Sequence, residues 1–239
     1  MNIIICAAGS SNRLKILTKE KPKSTIKIGK LEIINRLLNC FQYNLITKII
    51  IVTGFKQAIL KKKILNKYKK KIIFISNKIY KKTNNMYSLS LAKNEFDSDI
   101  IFVNADNLVQ KKIIKKFIFH KHKNLVLIDK NKNYFEDPDP VKIKQINGKL
   151  LKIDKKLNSK DTNGVAVGLY KLSKKNFDRY IKFSEKIYKS GFETAGFIEP
   201  LKNIIKSKYQ SIKTFYPGKF KWVDIDNLND LNKAKKLFK

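Results

Sequence analysis

Short runs dense in isoleucine, valine and leucine alternate along the first half of this chain with segments of helical spacing, and no other feature restricts the fold as much. Residues 2–6, 48–53, 71–76, 99–104 and 124–129 read as strands, and residues 32–43, 57–68, 86–96 and 108–121 as the helices between them. Strands that are apolar on both faces must be covered on both faces. The alternation therefore predicts an α/β fold whose sheet is parallel and flanked by two helical layers. In such sheets ligands bind beyond the carboxyl ends of the strands.

The second half changes character. Residues 141–151 read as a β-hairpin, because Asn147-Gly148 at the centre suits the positive φ angles of a tight primed turn. Residues 164–170 read as a strand, 173–189 and 193–206 as helices, 212–216 and 222–225 as short strands, and 227–238 as a closing helix capped by Asp226 or Asn227. With 239 residues, 43% of them hydrophobic, the chain can bury one large core, and a single domain over 1–239 is expected. It has no run of about 18 apolar residues and no cleavage-like start, so a cytoplasmic protein with no membrane partner is expected.

The formal charge of +34 would ordinarily suggest a nucleic-acid partner. Composition argues against it. Arg13, Arg36 and Arg179 are the only arginines among 53 basic residues, and the lysines are scattered over solvated faces such as Lys61-Lys62-Lys63. Heavy use of lysine, isoleucine and asparagine follows from A/T-rich codons. A positive field that speeds encounters with anionic substrates is the milder consequence. Cys6 and Cys40 offer no metal-ligand spacing, and Cys6 reads as a buried thiol. His120 and His122, two apart on an expected helix, should point to different faces.

Chemistry concentrates in three stretches. After the first strand comes a loop of small residues, Ala7-Ala8-Gly9-Ser10-Ser11, followed by Arg13 and then Pro22-Lys23. Backbone N–H groups there can approach a polyphosphate, and Arg13 and Lys23 supply fixed positive charge. Neither G-x-G-x-x-G nor the P-loop pattern is present. Asp106 follows the strand at 99–104, where a carboxylate either holds Mg²⁺ against phosphate oxygens or caps a helix beginning at Leu108. Asp224 and Asp226 end another short strand, and period-two alternation aims both at one face.

These residues resemble a known family. Ala7-Ala8-Gly9-Ser10-Ser11-Asn12-Arg13, Leu17-Thr18 and Pro22-Lys23 look like the signature of the nucleotidyltransferases that activate sugar phosphates and related phosphomonoesters. Asn84-Asn85-Met86-Tyr87-Ser88-Leu89 and Ala105-Asp106-Asn107 most resemble the bacterial CTP:phosphocholine cytidylyltransferase branch, which includes 2-aminoethylphosphonate cytidylyltransferases. Trp222-Val223-Asp224-Ile225-Asp226-Asn227 with Asp230-Leu231 is similar to the closing motif, although Asp224 stands for the usual glutamate and Ser11 for a frequent glycine. The resemblance implies a three-layer, mostly parallel, Rossmann-like sheet of the GT-A-like kind with an inserted β-hairpin substrate region. It also implies a nucleotide-binding half at 1–130 and an acceptor-binding, closing half at 131–239.

The implied reaction is in-line attack of a phosphate or phosphonate oxygen on the α-phosphorus of CTP, with release of pyrophosphate. The resemblance assigns Arg13 and Lys23 to the β- and γ-phosphates, Lys142 or its neighbour Lys144 to the acceptor phosphate, and Asp106, Asp224 and Asp226 to Mg²⁺. Ala7, Ala8, Gly9, Ser10 and Ser11 would lie along the nucleotide. Asn85 and Ser88 would stand near base or ribose, or cap the helix from Met86. An acceptor with an amine or quaternary ammonium group would need aromatic faces or carboxylates. Tyr87, Tyr134, Phe135, Phe192 and Trp222 are candidates, as are Glu136, Asp137, Glu193 and Glu199. Three classes stay open: a cytidylyltransferase, a sugar-phosphate transferase using UTP or dTTP, and a basic non-catalytic binding protein. A homodimer is compatible with each.

Overall fold

In the computed structural model, which describes every residue except 11, 65–67, 69–70, 208–210 and 239, strands from both halves of the chain join one sheet. The chain runs β1 (Asn2–Ala7), β2 (Lys27–Ile28), β3 (Leu31–Glu32), α1 (Ile33–Asn39), β4 (Lys48–Thr53), α2 (Gln57–Lys63), β5 (Lys71–Ser76) and α3 (Asn85–Ser90). It continues through β6 (Ile100–Asn104), β7 (Asn107–Val109), α4 (Lys111–Ile118), β8 (Leu125–Asp129), β9 (Lys142–Ile146), β10 (Lys149–Asp154) and β11 (Gly164–Leu172). The last elements are α5 (Lys174–Lys189), α6 (Ile198–Lys206), β12 (Lys213–Phe215), β13 (Trp222–Asp224) and α7 (Leu228–Leu237).

The nine-stranded sheet has the order β5-β4-β1-β6-β11-β8-β12-β10-β9. Its first four strands are parallel, as the sequence pattern expects. Beyond them β11 runs antiparallel to both β6 and β8, so the rest of the sheet is mixed. Alternation along β1 distributes the core. Ile3 and Ile5 pack with Leu37, Leu60 and Phe117 on one face, while Ile4 packs with Leu89, Phe177 and Leu201 on the other. Three layers result. On the second face Phe102 stacks on Tyr170 with ring centroids 4.9 Å apart.

Several expected boundaries move. The expected helix at 108–121 loses its start, because Leu108 lies in β7, paired in register with Val223 of β13. That pairing joins residues over a hundred positions apart, and local spacing cannot reveal it. Asp106 therefore caps no helix at Leu108. The expected helix at 193–206 begins only at Ile198; Pro200, which lacks an N–H, is tolerated there because first-turn N–H groups have no intrahelical partner. His120 and His122 follow the end of α4, and their rings lie 5.2 Å apart instead of on opposite faces. The hairpin forms as expected, with φ of 47° at Asn147 and 71° at Gly148.

Candidate active site

A cavity of about 910 Å³ opens at the carboxyl ends of β1 and β6 and extends over the ends of β11 and β13. Eight of the chain's 19 acidic residues line it, against five of its 53 basic ones. The site is thus locally acidic in a strongly basic protein. A triphosphate can enter such a site only if cations neutralise those acids.

The acids meet at one point. One carboxylate oxygen from each of Asp106, Asp224 and Asp226 lies within 4.8 Å of the others. Asp106 arrives on the turn between β6 and β7; Asp224 ends the short β13 strand, in register with Asn107, and Asp226 follows two residues on. Asp106 Oδ1 is buried and has no hydrogen-bond partner among the described residues. Asp224 is accessible from the cavity, yet the protein crowding it, and then the charges of Asp106 and Asp226, push its pKa well above the ordinary carboxylate value. An orphaned oxygen, three hard oxygen donors and a carboxylate held against its charge are what a site for Mg²⁺ offers.

Two cations are set against this cluster. Lys23 sits in a 3-10 turn, Lys23–Thr25, entered through Pro22 in an extended conformation, and Thr25 closes the turn by donating its backbone N–H and hydroxyl to the Pro22 carbonyl at 2.9 and 2.7 Å. The buried Lys23 Nζ lies 2.6 Å from Asp106 Oδ2 and 3.2 Å from Asp226 Oδ1, and donates to the Ile225 carbonyl. Burial alone would lower its pKa, but Asp106, Asp226 and Asp224 outweigh burial and raise it. Arg13, exposed on the 3-10 helix Asn12–Thr18, places Nη2 2.6 Å from Asp226 Oδ1.

Of the other expected residues, Ala8, Gly9, Asn85 and Ser88 line the cavity. Ala7 packs in the core and Ser10 lies off the cavity wall, while Ser11 lies outside the described residues. Neither Asn85 nor Ser88 caps α3. The cap is Asn84; Asn85 accepts from the Phe197 backbone N–H at 3.1 Å, and Ser88 accepts from Asn77 at 3.1 Å. Lys142 is buried on β9 and does not line the cavity, which its preceding neighbour Val141 reaches. Adjacent residues of a strand face opposite ways. Lys144 pairs with Asp161 at 2.5 Å, also away from the cavity. A contact between either lysine and an acceptor phosphate is therefore not offered by this geometry, and Lys155 and Lys156, in the segment after β10, line the cavity instead.

Elsewhere on the cavity wall Tyr134 lies 5.3 Å from Trp222, whose indole N–H donates to Asp129 at 2.7 Å. Both rings line the cavity, as do Asp137, Asp139 and Glu199. Tyr87 instead stacks on Tyr188, and Phe192 is exposed. Sequence reasoning missed Gly54, whose lack of a side chain matters: a Cβ there would lie 2.7 Å from the Ala8 carbonyl, under the small-residue loop. It also missed the Tyr170 hydroxyl, buried in the cavity wall without a partner among the described residues.

A sheet with a small-residue loop, two cations and three convergent acids at its carboxyl ends defines a nucleotide-dependent transferase. The chain belongs to the nucleotidyl transferase family, whose model it matches over residues 2–239. It is 30% identical to the CTP:phosphoglutamine cytidylyltransferase of Campylobacter jejuni, over 97% of this chain and 98% of that protein. It is 31% identical to the choline-phosphate cytidylyltransferase of Haemophilus influenzae, over 70% and 68% respectively. The inositol-1-phosphate CTP transferase of T. maritima superposes with a TM-score of 0.83, 20% identity and 99% and 94% coverage, which shows a shared fold. Among the described residues no helix is long and apolar enough to cross a membrane.

Proposed function

We propose that this chain transfers CMP from CTP to a small phosphomonoester or phosphonate bearing an amine or ammonium group, with release of pyrophosphate. The observation that carries this reading is the meeting of Arg13, Lys23 and the Asp106–Asp224–Asp226 cluster in a cavity that Tyr134, Trp222, Asp137 and Asp139 also line. The cytidylyltransferase relatives support CTP as the donor.

Both reactants are anions, so charge neutralisation and alignment must supply most of the acceleration. Ala8 and Gly9 give the triphosphate close access to backbone. Arg13 and Lys23, already beside Asp226 and Asp106, stand where charge collects as the bond from the α-phosphorus to the bridging oxygen breaks. Mg²⁺ held by Asp106, Asp224 and Asp226 would tie the acids to the phosphate oxygens and reverse their repulsion. Lys155 and Lys156 take the acceptor phosphate. Tyr134 and Trp222 offer π faces, and Asp137 and Asp139 offer carboxylates, to a cationic head group.

Pyrophosphate release over a grid of CTP, UTP, dTTP and ATP against phosphocholine, 2-aminoethylphosphonate and glucose 1-phosphate tests the reading. Magnesium-dependent turnover with CTP and an amine-bearing acceptor is expected. Preference for UTP or dTTP with the sugar phosphate, or no release with any pair, would overturn it.

A further inference from the structure

One cation that the reaction above does not use is tied to the wall on which Lys155 and Lys156 stand. Asp154 ends β10, and its two carboxylate oxygens have separate partners. Oδ1 accepts from the Lys156 backbone N–H at 3.0 Å, and Oδ2 lies 2.6 Å from Lys202 Nζ. The same Nζ donates to Glu199 Oε1 at 2.8 Å, three residues earlier on α6. Asp154, Lys155, Lys156 and Glu199 all line the cavity, whereas Lys202 does not. One half-buried ammonium outside the cavity therefore links the end of β10 to the start of α6.

The charges suit that link. Burial would raise the pKa of Asp154, but the hydrogen bonds from Lys202 and from the Lys156 N–H outweigh burial and lower it. Burial would lower the pKa of Lys202, but Asp154 and Glu199 outweigh it and raise it. A lone ion pair near solvent contributes little, because two long side chains are ordered for a screened attraction. Here one ammonium serves two carboxylates, and the short Asp154 side chain is already held by the Lys156 N–H. The base of α6 is fixed as well. Phe197, just before the helix, donates its N–H to Asn85 Oδ1 at 3.1 Å and accepts from the Tyr180 hydroxyl at 2.9 Å on its carbonyl. Lys155 and Lys156 are exposed and follow the last residue of β10, so the support of their turn comes from Asp154 and, through it, from the helix. Groups that bind a reactant need such support, because a small misplacement costs much of their effect.

We infer, on the reading that the acceptor phosphate lies against Lys155 and Lys156, that Lys202 is a positioning residue: through Asp154 it sets the backbone turn from which those two lysines reach the phosphate.

Two measurements on the full chain test it: amide hydrogen exchange at Lys156 by NMR, and calorimetric titration of phosphocholine into protein saturated with Mg²⁺ and a non-hydrolysable CTP analogue. Lys202→Met should speed exchange at Lys156 about tenfold and weaken phosphocholine about tenfold, with the affinity for the CTP analogue unchanged. Lys202→Arg, which can still serve both carboxylates, should restore both values. Asp154→Ala should match Lys202→Met, and the double variant should be no worse than Asp154→Ala alone, because Lys202 acts through Asp154. Unchanged exchange in Lys202→Met, equal weakening of phosphocholine and the CTP analogue, or additive losses in the double variant overturn the inference. Lys155→Ala and Lys156→Ala separate it from the reading beneath. If phosphocholine does not bind, or binds both lysine variants as it binds the parent, that reading falls; if they weaken it and Lys202→Met does not, only the positioning role falls.

Discussion

Replacing Lys23 with methionine isolates the electrostatics of the cluster, because the unbranched side chain loses its charge and only its terminal atom. Lys23 is 7% exposed, so the substitution leaves Asp106 and Asp226 without the cation that stands 2.6 and 3.2 Å from them. Removing one partner of a fully buried ion pair costs about 3–5 kcal/mol; these carboxylates are 24% and 26% exposed, so water recovers part of the loss and the low end, about 3 kcal/mol, applies. For a chain of this size that lowers Tm by about 6–12 °C. Thermal melts in EDTA measure the drop.

Two further arms follow from the same charges. Mg²⁺ should close most of the gap, because a divalent ion among the three acids replaces the missing lysine charge. The gap should also narrow in acid. Asp224 has a folded pKa above its unfolded one, so its ionisation weakens the fold above that folded value, and the penalty fades as pH falls and the proton is taken up. Loss of Lys23 strengthens that effect, so the deficit in EDTA should shrink as pH falls from neutral to about 5. A Lys23→Met protein that melts with its parent in EDTA, or whose deficit is unmoved by Mg²⁺, would refute the reasoning.

Other perturbations probe separate parts of the structure. Gly54→Ala should cost about 1–3 kcal/mol in a denaturant titration and weaken CTP binding, because the added methyl meets the Ala8 carbonyl and the Tyr80 Cβ. Tyr134→Leu should raise KM for an amine-bearing acceptor on the order of tenfold with little change in KM for CTP, measured by steady-state pyrophosphate release. Burial pushes the Cys40 thiol up to about 11, so iodoacetamide at neutral pH should modify it only as fast as the chain unfolds, read by mass spectrometry against denaturant; Cys6, expected to be buried, is half-exposed and lines the site cavity.

The parallel part of the sheet was legible because its determinants are local. The isoleucine-rich runs of β1 and β4 are buried strands, that of β5 is a half-buried edge strand, and each pairs in register over six residues, which period and composition alone specify. The Asn147-Gly148 turn and the box formed by Asn227 and Asp230 at the start of α7 are likewise written in adjacent residues. What escaped depends on partners far along the chain. Leu108 has helical spacing but is drawn into β7 by Val223, and the exposure of Lys142 is decided by which face β9 turns to β10 and β11. The meeting of Asp106 with Asp224 and Asp226 came from motif and alternation together. The requirement for glycine at 54 came from neither, since its neighbour, Ala8, sits on another strand's loop.

The central claim, that the three acids hold a divalent ion against the triphosphate, is tested most directly by titrating Mn²⁺ with the protein and a non-hydrolysable CTP analogue and recording electron paramagnetic resonance. A single bound Mn²⁺ per chain is predicted, tightened by the analogue and lost in Asp106→Asn and Asp226→Asn proteins that still melt cooperatively. Equal Mn²⁺ binding by parent and variants, or binding indifferent to the nucleotide, would contradict it.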